Sequence, residues 1–447
     1  MAASQAPRPL RRVPLTVEIA RVGTTLWHAA RGGGRLLYED RVIGADPARA
    51  AAELRRRVVD LGPTYVKLGQ LVASSPGVFP EVVAEEFRSL LDRVPPAAPG
   101  AIEAVLAAEL GRPPQQIFAT FDPEPIASAS IAQVHAATLP GGERVVVKVR
   151  RPGISERLAA DVQILARLAV LLEWTEYGRI AGARDIVADF TANLNDELDF
   201  RTEAGAMTEW SNAMADTEFA DKVRVPRVHW DYTTGKVLVM EHIDAIRIDD
   251  VDAVTAARHD GADLIRTILL SLLDSAFRRG VFHGDLHAGN VLVDPQGRVV
   301  LLDWGIVGRF DDDRRLILRR LVGDLVVHND FDAATQGLMR LGAVGRPGRR
   351  KQAAADIRSF TAPLSGSELG RISYADFGKQ LAELAKRYQV RLPRDLVLVG
   401  KQLLYVERYM KLLAPQWKPI TDEQVVAFMA ELLGQAEQER EGAEVAD

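Results

Sequence analysis

Three side chains with oxygen donors fall in one short stretch. Asp285 and Asn290 lie in His283-Gly-Asp-Leu-His-Ala-Gly-Asn290, and Asp303 lies in Leu301-Leu-Asp-Trp-Gly305. The amide follows the first carboxylate by five residues, and the second carboxylate follows it by eighteen. This set suits phosphoryl transfer. One carboxylate must accept or orient the proton of an attacking hydroxyl or water, and separate hard oxygen donors must hold Mg²⁺ against phosphate. Asp285 is the candidate for the first role, and Asn290 with Asp303 for the second. Two apolar runs flank Pro295-Gln-Gly297, so a hairpin is expected to carry Asp303 back beside Asn290. A competing reading takes His283 and His287 as a zinc pair. That spacing needs a helix to put both rings on one face, and Gly284 and Gly289 work against a helix.

A cation for phosphate lies upstream. Lys148 interrupts Arg144-Val-Val-Val-Lys-Val-Arg150, an apolar run of β type. Burying a lysine there without an anionic partner is costly. In phosphotransferases of this layout such a lysine reaches the α- and β-phosphates and pairs with a helix glutamate. A strand-edge lysine facing solvent gives the same local pattern. One hairpin earlier, Ile126-Ala-Ser-Ala-Ser-Ile-Ala-Gln-Val-His135 stands where a glycine-rich phosphate loop would be expected. Ala127, Ser128, Ala129 and Ser130 can still offer backbone N–H groups, but their Cβ atoms restrict φ and stiffen the loop. By itself the segment also fits an ordinary small-residue turn.

Two further segments carry charge. Asn195-Asp-Glu-Leu-Asp-Phe-Arg-Thr-Glu203 reads as helical, with Glu197 and Arg201 spaced for an i, i+4 pair, and with Glu197, Arg201 and Glu203 on a helix that a phosphotransferase of this layout would hold within reach of Lys148. A solvated acidic face reads the same way. Tyr65-Val-Lys-Leu-Gly-Gln70 puts Lys67, Gly69 and Gln70 near a helix end, where alone they say little.

The elements that must position these residues change along the chain. Residues 1–15 are rich in Pro and Arg and are expected to be poorly ordered. Residues 16–115 read as a helical extension. Ala50 to Val59 and Val82 to Leu91 have helical apolar spacing, Pro95, Pro96 and Pro99 mark a connector, and Ala101 to Leu110 stops at Gly111 with Pro113 beyond. Residues 116–245 carry β-rich runs at Val145 to Val149, Val223 to Val228 and Val237 to Met240. Gly141-Gly142 and Thr233-Thr234-Gly235 read as turns, and helices at Ile154 to Trp174 and Ile186 to Thr202 are inserted. Residues 246–436 are helical around the Asp285 segment, led by a buried helix through Leu264, Ile265, Ile268, Leu269, Leu272, Leu273, Ala276 and Phe277. Residues 437–447 are an acidic tail expected to fray. The fold class expected is α+β, two-lobed, with an N-terminal helical extension.

Composition narrows the setting. The 447 residues are 47% hydrophobic and 26% charged, with a formal net charge of -5. That is a globular composition with no pull toward nucleic acid. The chain has no cysteine, which excludes disulfides and thiolate metal sites and agrees with a reducing compartment. No stretch reaches the roughly 18 apolar residues that a membrane span needs; Val162 to Trp174, the nearest, contains Gln163, Arg167 and Glu173. Arg8, Arg11 and Arg12 have no apolar run behind them, which argues against a signal peptide. The expectation is a cytoplasmic protein that touches a membrane peripherally at most, through its N-terminus or residues 16–40. Between Asp303 and Asp332 there is no Ser, Thr or Tyr, so activation by phosphorylation there is not expected.

Taken together, the segments resemble the UbiB family of atypical kinase-like proteins, over about residues 50–410. Lys67-Leu-Gly69-Gln70 is similar to that family's Lys-x-Gly-Gln signature, Ala127 to His135 to its alanine-rich loop, and Glu197-Leu-Asp199 to its Glu-x-Asp motif. Val146-Val-Lys148 with Arg151-Pro152-Gly153, and His283 to Asn290 with Asp303-Trp304-Gly305, are similar to its kinase elements. Val237 to Glu241 looks like its hinge. The resemblance implies a protein-kinase-like fold, with residues 116–245 as N-lobe and 246–436 as C-lobe, that takes ATP (or ADP) and Mg²⁺. It implies Lys148 on phosphate and paired with Glu203, and backbone groups at Met240 and Glu241 on adenine. It also implies Lys67 and Gln70 folded over the active site, with Lys67 paired to Glu197. Asp285 would be general base or water-orienting group, and Asn290 and Asp303 would bind Mg²⁺.

The activity implied is an ATPase or small-molecule kinase that supports isoprenoid quinone-lipid biosynthesis or lipid homeostasis. Its partners would be a small-molecule or lipid intermediate and quinone-biosynthesis proteins, with no nucleic acid. Two departures stand out: Trp304 occupies a position where Phe is usual, and the C-terminal membrane spans of some bacterial members have no counterpart here. Two rivals use the same residues. A phosphotransferase of the aminoglycoside or choline kinase type shares the His-Gly-Asp-Leu-His segment but lacks the Lys-x-Gly-Gln helix and the alanine-rich loop. A nucleotide-binding scaffold would bind without turnover.

Overall fold

The computed structural model describes residues 47–73, 81–87, 95–174, 183–326, 328, 330–341 and 394–446. The expectations for residues 1–15 and 16–40, the membrane contact among them, lie outside these. The chain divides into two compact units, residues 1–204 with 228–242, and residues 205–227 with 243–447.

The first unit opens with helices α1 (Pro47–Leu61), α2 (Pro63–Ala73) and α3 (Glu81–Phe87). Gly62 joins α1 to α2 at φ 102, in backbone space that side chains rarely enter. A Cβ there would also strike the Arg157 guanidinium. Helix α4 (Ala101–Leu110) ends as its stop signals predict, with Gly111 at φ 75 and its N–H returned to Ala107 O. After a short turn of helix, α5 (Pro114–Ile117), strands β1 (Thr120–Ser128), β2 (Ala132–Thr138), β3 (Arg144–Arg150) and β5 (Val237–Glu241) form an antiparallel sheet in the order β1-β2-β3-β5. Gly141-Gly142 closes the β2–β3 hairpin, with Gly142 at φ 85. The two-residue alternation of a strand buries Val145, Val147 and Val149 with Ile102 and Leu106 of α4. Lys148 therefore falls on the opposite face.

Helices α6 (Ile154–Leu172) and α7 (Ala183–Leu198) pack with α2 around Tyr65, Ile131, Ile154, Leu158 and Leu194. The single helix expected over Ile186 to Thr202 is two helices. Helix α7 stops at Leu198, and α8 (Phe200–Met214) starts after Asp199. Asp199 acts as the cap. Its carboxylate accepts the Arg201 backbone N–H at 3.2 Å, and its carbonyl accepts from Thr202 N at 2.8 Å. The break undoes the expected Glu197–Arg201 pair. Arg201 turns to Asp199 instead, and Glu197 pairs with Lys67.

In the second unit only Val223–Arg224 (β4) of the β-rich run expected from Val223 to Val228 is strand, and it pairs in parallel with Val299 and Val300. Val228 makes an isolated bridge to Met240 in the first unit's sheet region. Residues 205–227 thus pack with the second unit, although the sequence placed them in the stretch 116–245. The order of the larger sheet is β4-β9-β8-β6, with β6 (Ile246–Arg247), β8 (Val291–Val293) and β9 (Val299–Leu301). After α9 (Val251–Ala256), helix α10 (Gly261–Leu273) is capped by Asp260, which accepts from Ala262 N and Asp263 N. It buries Leu264, Ile265, Ile268, Leu269 and Leu272 as their spacing predicts. A π-helical turn, Asp274–Arg279, leads from it to Gly280 at φ 80 and into β7 (Val281–His283), which pairs with β10 (Val307–Arg309).

Helices α11 (Asp312–Val326), α12 (Phe331–Arg340), α13 (Arg394–Leu413) and α14 (Glu423–Ala446) follow. Helix α14 runs through most of the tail expected to fray, because Glu, Gln, Arg and Ala there are good helix formers. No described helix is long and apolar enough to cross a membrane.

Candidate active site

In the first unit, Lys148 Nζ donates to both Glu203 oxygens, at 2.9 and 2.8 Å. Strand β3 sends the lysine up, and the first turn of α8 brings the glutamate. The Phe200 ring lies 5.4 Å from Nζ. Lys67 Nζ lies 2.5 Å from Glu197 Oε1, so α2 meets the end of α7. A buried hydrogen bond from Thr64 Oγ1 to Asp161 fixes α2 on α6. Gly69 is buried on α2; the side chain of Gln70 lies outside those described. Asp199 takes a forked contact from Arg201. Burial works to raise the Asp199 carboxyl, but the side-chain and backbone hydrogen bonds from Arg201 outweigh it and hold the carboxyl below its usual range.

The alanine-rich segment forms the β1–β2 turn, closed by Ala129 N to Ala132 O at 2.9 Å. Ala127 is exposed and Ser130 buried; Ser128 Oγ accepts from Arg151 Nη2 at 2.8 Å. Met240 stands opposite Val146 and Glu241 opposite Val145 in the β3–β5 ladder.

In the second unit, the β8–β9 hairpin returns the chain as the sequence predicts, and Leu302 N donates to Asn290 O at 2.8 Å. Asn290 Nδ2 donates to Asp285 O at 3.0 Å. That bond orients the amide and leaves Oδ1 as a hard oxygen donor, met by no donor among the described residues. Asp303 holds φ 55, in the left-handed region a non-glycine residue seldom occupies. Such strain often marks a functional position. The donor set fits Mg²⁺, which takes few protein ligands and completes its shell with phosphate and water. Among the described residues, no group of three or more His, Cys, Asp or Glu is placed to hold a metal by itself.

His283 settles the zinc alternative. Its Nδ1 accepts from Asp285 N at 3.0 Å, so Nε2 carries the proton and donates to Leu302 O at 2.9 Å. Both ring nitrogens are committed, and the ring props the loop from below. Burial drives its pKa below the usual histidine value, against smaller opposing contributions led by the Leu302 carbonyl. The unfolded chain then binds this proton more readily. The stability contributed by neutral His283 is present above pH of about 6.5 and is lost as pH falls toward the lowered folded value. We expect the stability gap between the parent and His283→Gln, read from urea midpoints, to be constant at pH 7–8 and to shrink on acidification. A gap independent of pH would disprove the neutral ring.

The sequence reading missed three residues of α13: Lys401, Gln402 and Tyr409. Lys401 Nζ lies 2.9 Å from Asp285 Oδ1. Gln402 Oε1 accepts from Leu286 N at 2.7 Å, and Tyr409 donates to Leu286 O. The only signal was a polar glutamine and tyrosine within an otherwise apolar helical face.

The ABC1 atypical kinase-like domain matches residues 89–337, and the UbiB helical domain matches residues 357–418. An uncharacterized protein of Mycobacterium tuberculosis is 49% identical over 432 residues, 97% of this chain and 88% of that protein. A probable protein kinase UbiB of Marinobacter nauticus is 36% identical over 369 residues, 81% of this chain and 66% of that protein. A solved structure of a Mycobacterium tuberculosis protein in complex with erythromycin superposes with a TM-score of 0.52 at 24% identity. It covers 88% of this chain and 98% of its own, and shows likeness of fold.

Proposed function

This chain belongs to the ABC1 family of atypical kinase-like proteins, with UbiB relatives, and on that premise we propose that it binds Mg-ATP and transfers or hydrolyses its γ-phosphoryl group in support of isoprenoid quinone-lipid metabolism. The observation that carries the reading is the convergence of Asp285, Asn290 and the strained Asp303 through one loop and one hairpin. In this reading Asp285 orients the attacking hydroxyl or water. Lys148, steadied by Glu203, holds phosphate oxygens. The alanine-rich turn lies along the phosphates, and the backbone at Met240 and Glu241 meets adenine. Lys67 and Glu197 keep α2 against α7, and Asp199 fixes the start of the helix that carries Glu203. Asn290 and Asp303 would hold Mg²⁺, which when bound neutralises phosphate charge. The lipid setting comes from the UbiB resemblance.

The test is Mg²⁺-dependent ATP hydrolysis by the full chain, with and without anionic liposomes and a phenolic quinone precursor. We expect turnover that lipid or phenol stimulates and that Asp303→Asn lacks. Nucleotide binding with no turnover under any of these conditions would replace the enzyme with a scaffold.

A further inference from the structure

Asp285 has company that its own segment does not supply. Between Val281 and Gly305 the one Lys or Arg is Arg298, and Arg298 is committed to Asp294 at 2.7 Å. The ammonium beside Asp285 comes from Lys401, 116 residues further on, in the stretch that matches the UbiB helical domain. Its Nζ lies 2.9 Å from Oδ1, and the two side chains are 29% and 22% exposed. On the other carboxylate oxygen, His287 Nε2 stands 3.9 Å from Oδ2, beyond hydrogen-bond distance.

The position of Lys401 is heavily determined. Its neighbour Gln402 is 0% exposed. The Gln402 amide accepts from Leu286 N at 2.7 Å and donates to Gly284 O at 2.7 Å, so it grips the residues on either side of Asp285. Tyr409, two turns along, donates to Leu286 O. Helix α13 is thus tied by three buried hydrogen bonds to the backbone that carries the carboxylate. An exposed ion pair contributes little and needs no such framing. The Tyr405 ring, one turn from Lys401 and 5.7 Å from Nζ, further confines the side chain.

We propose that Lys401 is a positioning residue for phosphoryl transfer: it occupies Oδ1 of Asp285, so that Oδ2 is the oxygen that orients the acceptor, and it makes the helical domain part of the catalytic apparatus. The proposal rests on the phosphoryl-transfer function above. Phosphoryl transfer asks the protein mainly for positioning and electrostatic support. A carboxylate turning about its terminal torsion presents either oxygen, whereas a charge-assisted hydrogen bond at one oxygen fixes the plane and leaves the other. In the step itself the acceptor O–H bond breaks as the new O–P bond forms. The bond from the γ-phosphorus to the bridging oxygen breaks, and that oxygen leaves with ADP. The acceptor proton passes by way of Oδ2 to solvent, and Lys401 keeps its own proton.

The experiment compares the full-length parent with Lys401→Ala and Lys401→Arg. We expect Lys401→Ala to lower kcat for ATP hydrolysis by about 10²-fold, with KM for ATP within about twofold of the parent. Added propylammonium restores part of the lost kcat in Lys401→Ala and leaves the parent unchanged, and Lys401→Arg retains more activity than Lys401→Ala. An unchanged kcat in Lys401→Ala overturns the proposal. So does a fall in kcat that neither propylammonium nor arginine relieves, which marks a purely structural lysine. A parent with no turnover instead removes the phosphoryl-transfer function, and the role of Lys401 with it.

Discussion

Asp285→Asn is expected to lower kcat for ATP hydrolysis by at least about 10²-fold while Kd for ATP stays within about twofold. The reason lies in how the loop is held. His283 Nδ1 receives the Asp285 backbone N–H, and Asn290 donates to the Asp285 backbone carbonyl. Neither bond uses the carboxylate. An asparagine keeps both, along with the α13 anchors on Leu286 and Gly284. What it removes is the charge and the oxygen able to take a hydrogen bond from the acceptor. Single-turnover hydrolysis measures the loss, and titration with a fluorescent ATP analogue measures the affinity. Undiminished turnover in this variant would remove Asp285 from its role. A parallel collapse of affinity would mean that the carboxylate serves nucleotide binding instead.

The second large effect is on stability. Trp304→Ala should cost about 3–5 kcal/mol, and Trp304→Phe less than about 1.5 kcal/mol. Trp304 is almost wholly buried, packs at 5.3 Å on Trp210 and meets the His283 ring edge-on at 4.7 Å. Its indole N–H donates to Leu301 O at 3.2 Å. Truncation therefore opens a cavity directly under the residues that hold Asp285 and Asp303. Phenylalanine refills most of that volume and gives up one hydrogen bond, so Mg²⁺ dependence of hydrolysis should match the parent. Urea unfolding followed by far-UV circular dichroism gives the comparison. Equal midpoints for Trp304→Ala and the parent would show that the aromatic stack is incidental.

The Asp285–Asn290 relation and the β8–β9 return of Asp303 were legible because they are short-range: a five-residue spacing and a tight hairpin need no distant partner. The same holds for α4, whose Gly111 stop is local backbone chemistry, and for the β2–β3 hairpin around Gly141-Gly142. The α+β, kinase-like class followed from motifs strung in order. The expected helix through Thr202 failed on a local competition: periodicity ran across Asp199, but a side-chain cap on Arg201 N ended one helix and began the next. β4 was assigned to the wrong group of strands because alternation marks a strand without naming its neighbour.

The long-range contacts outside the family's motifs were decided by tertiary structure alone. Thr64 finds Asp161 across 97 residues, and Lys401 finds Asp285 across 116. The entropy of closing a chain loop rises only slowly with its length, so sequence distance hardly discriminates among partners. Once the apolar faces pack, the geometry of α13 selects the lysine that meets the carboxylate, and nothing in the local pattern of Lys401 announces it.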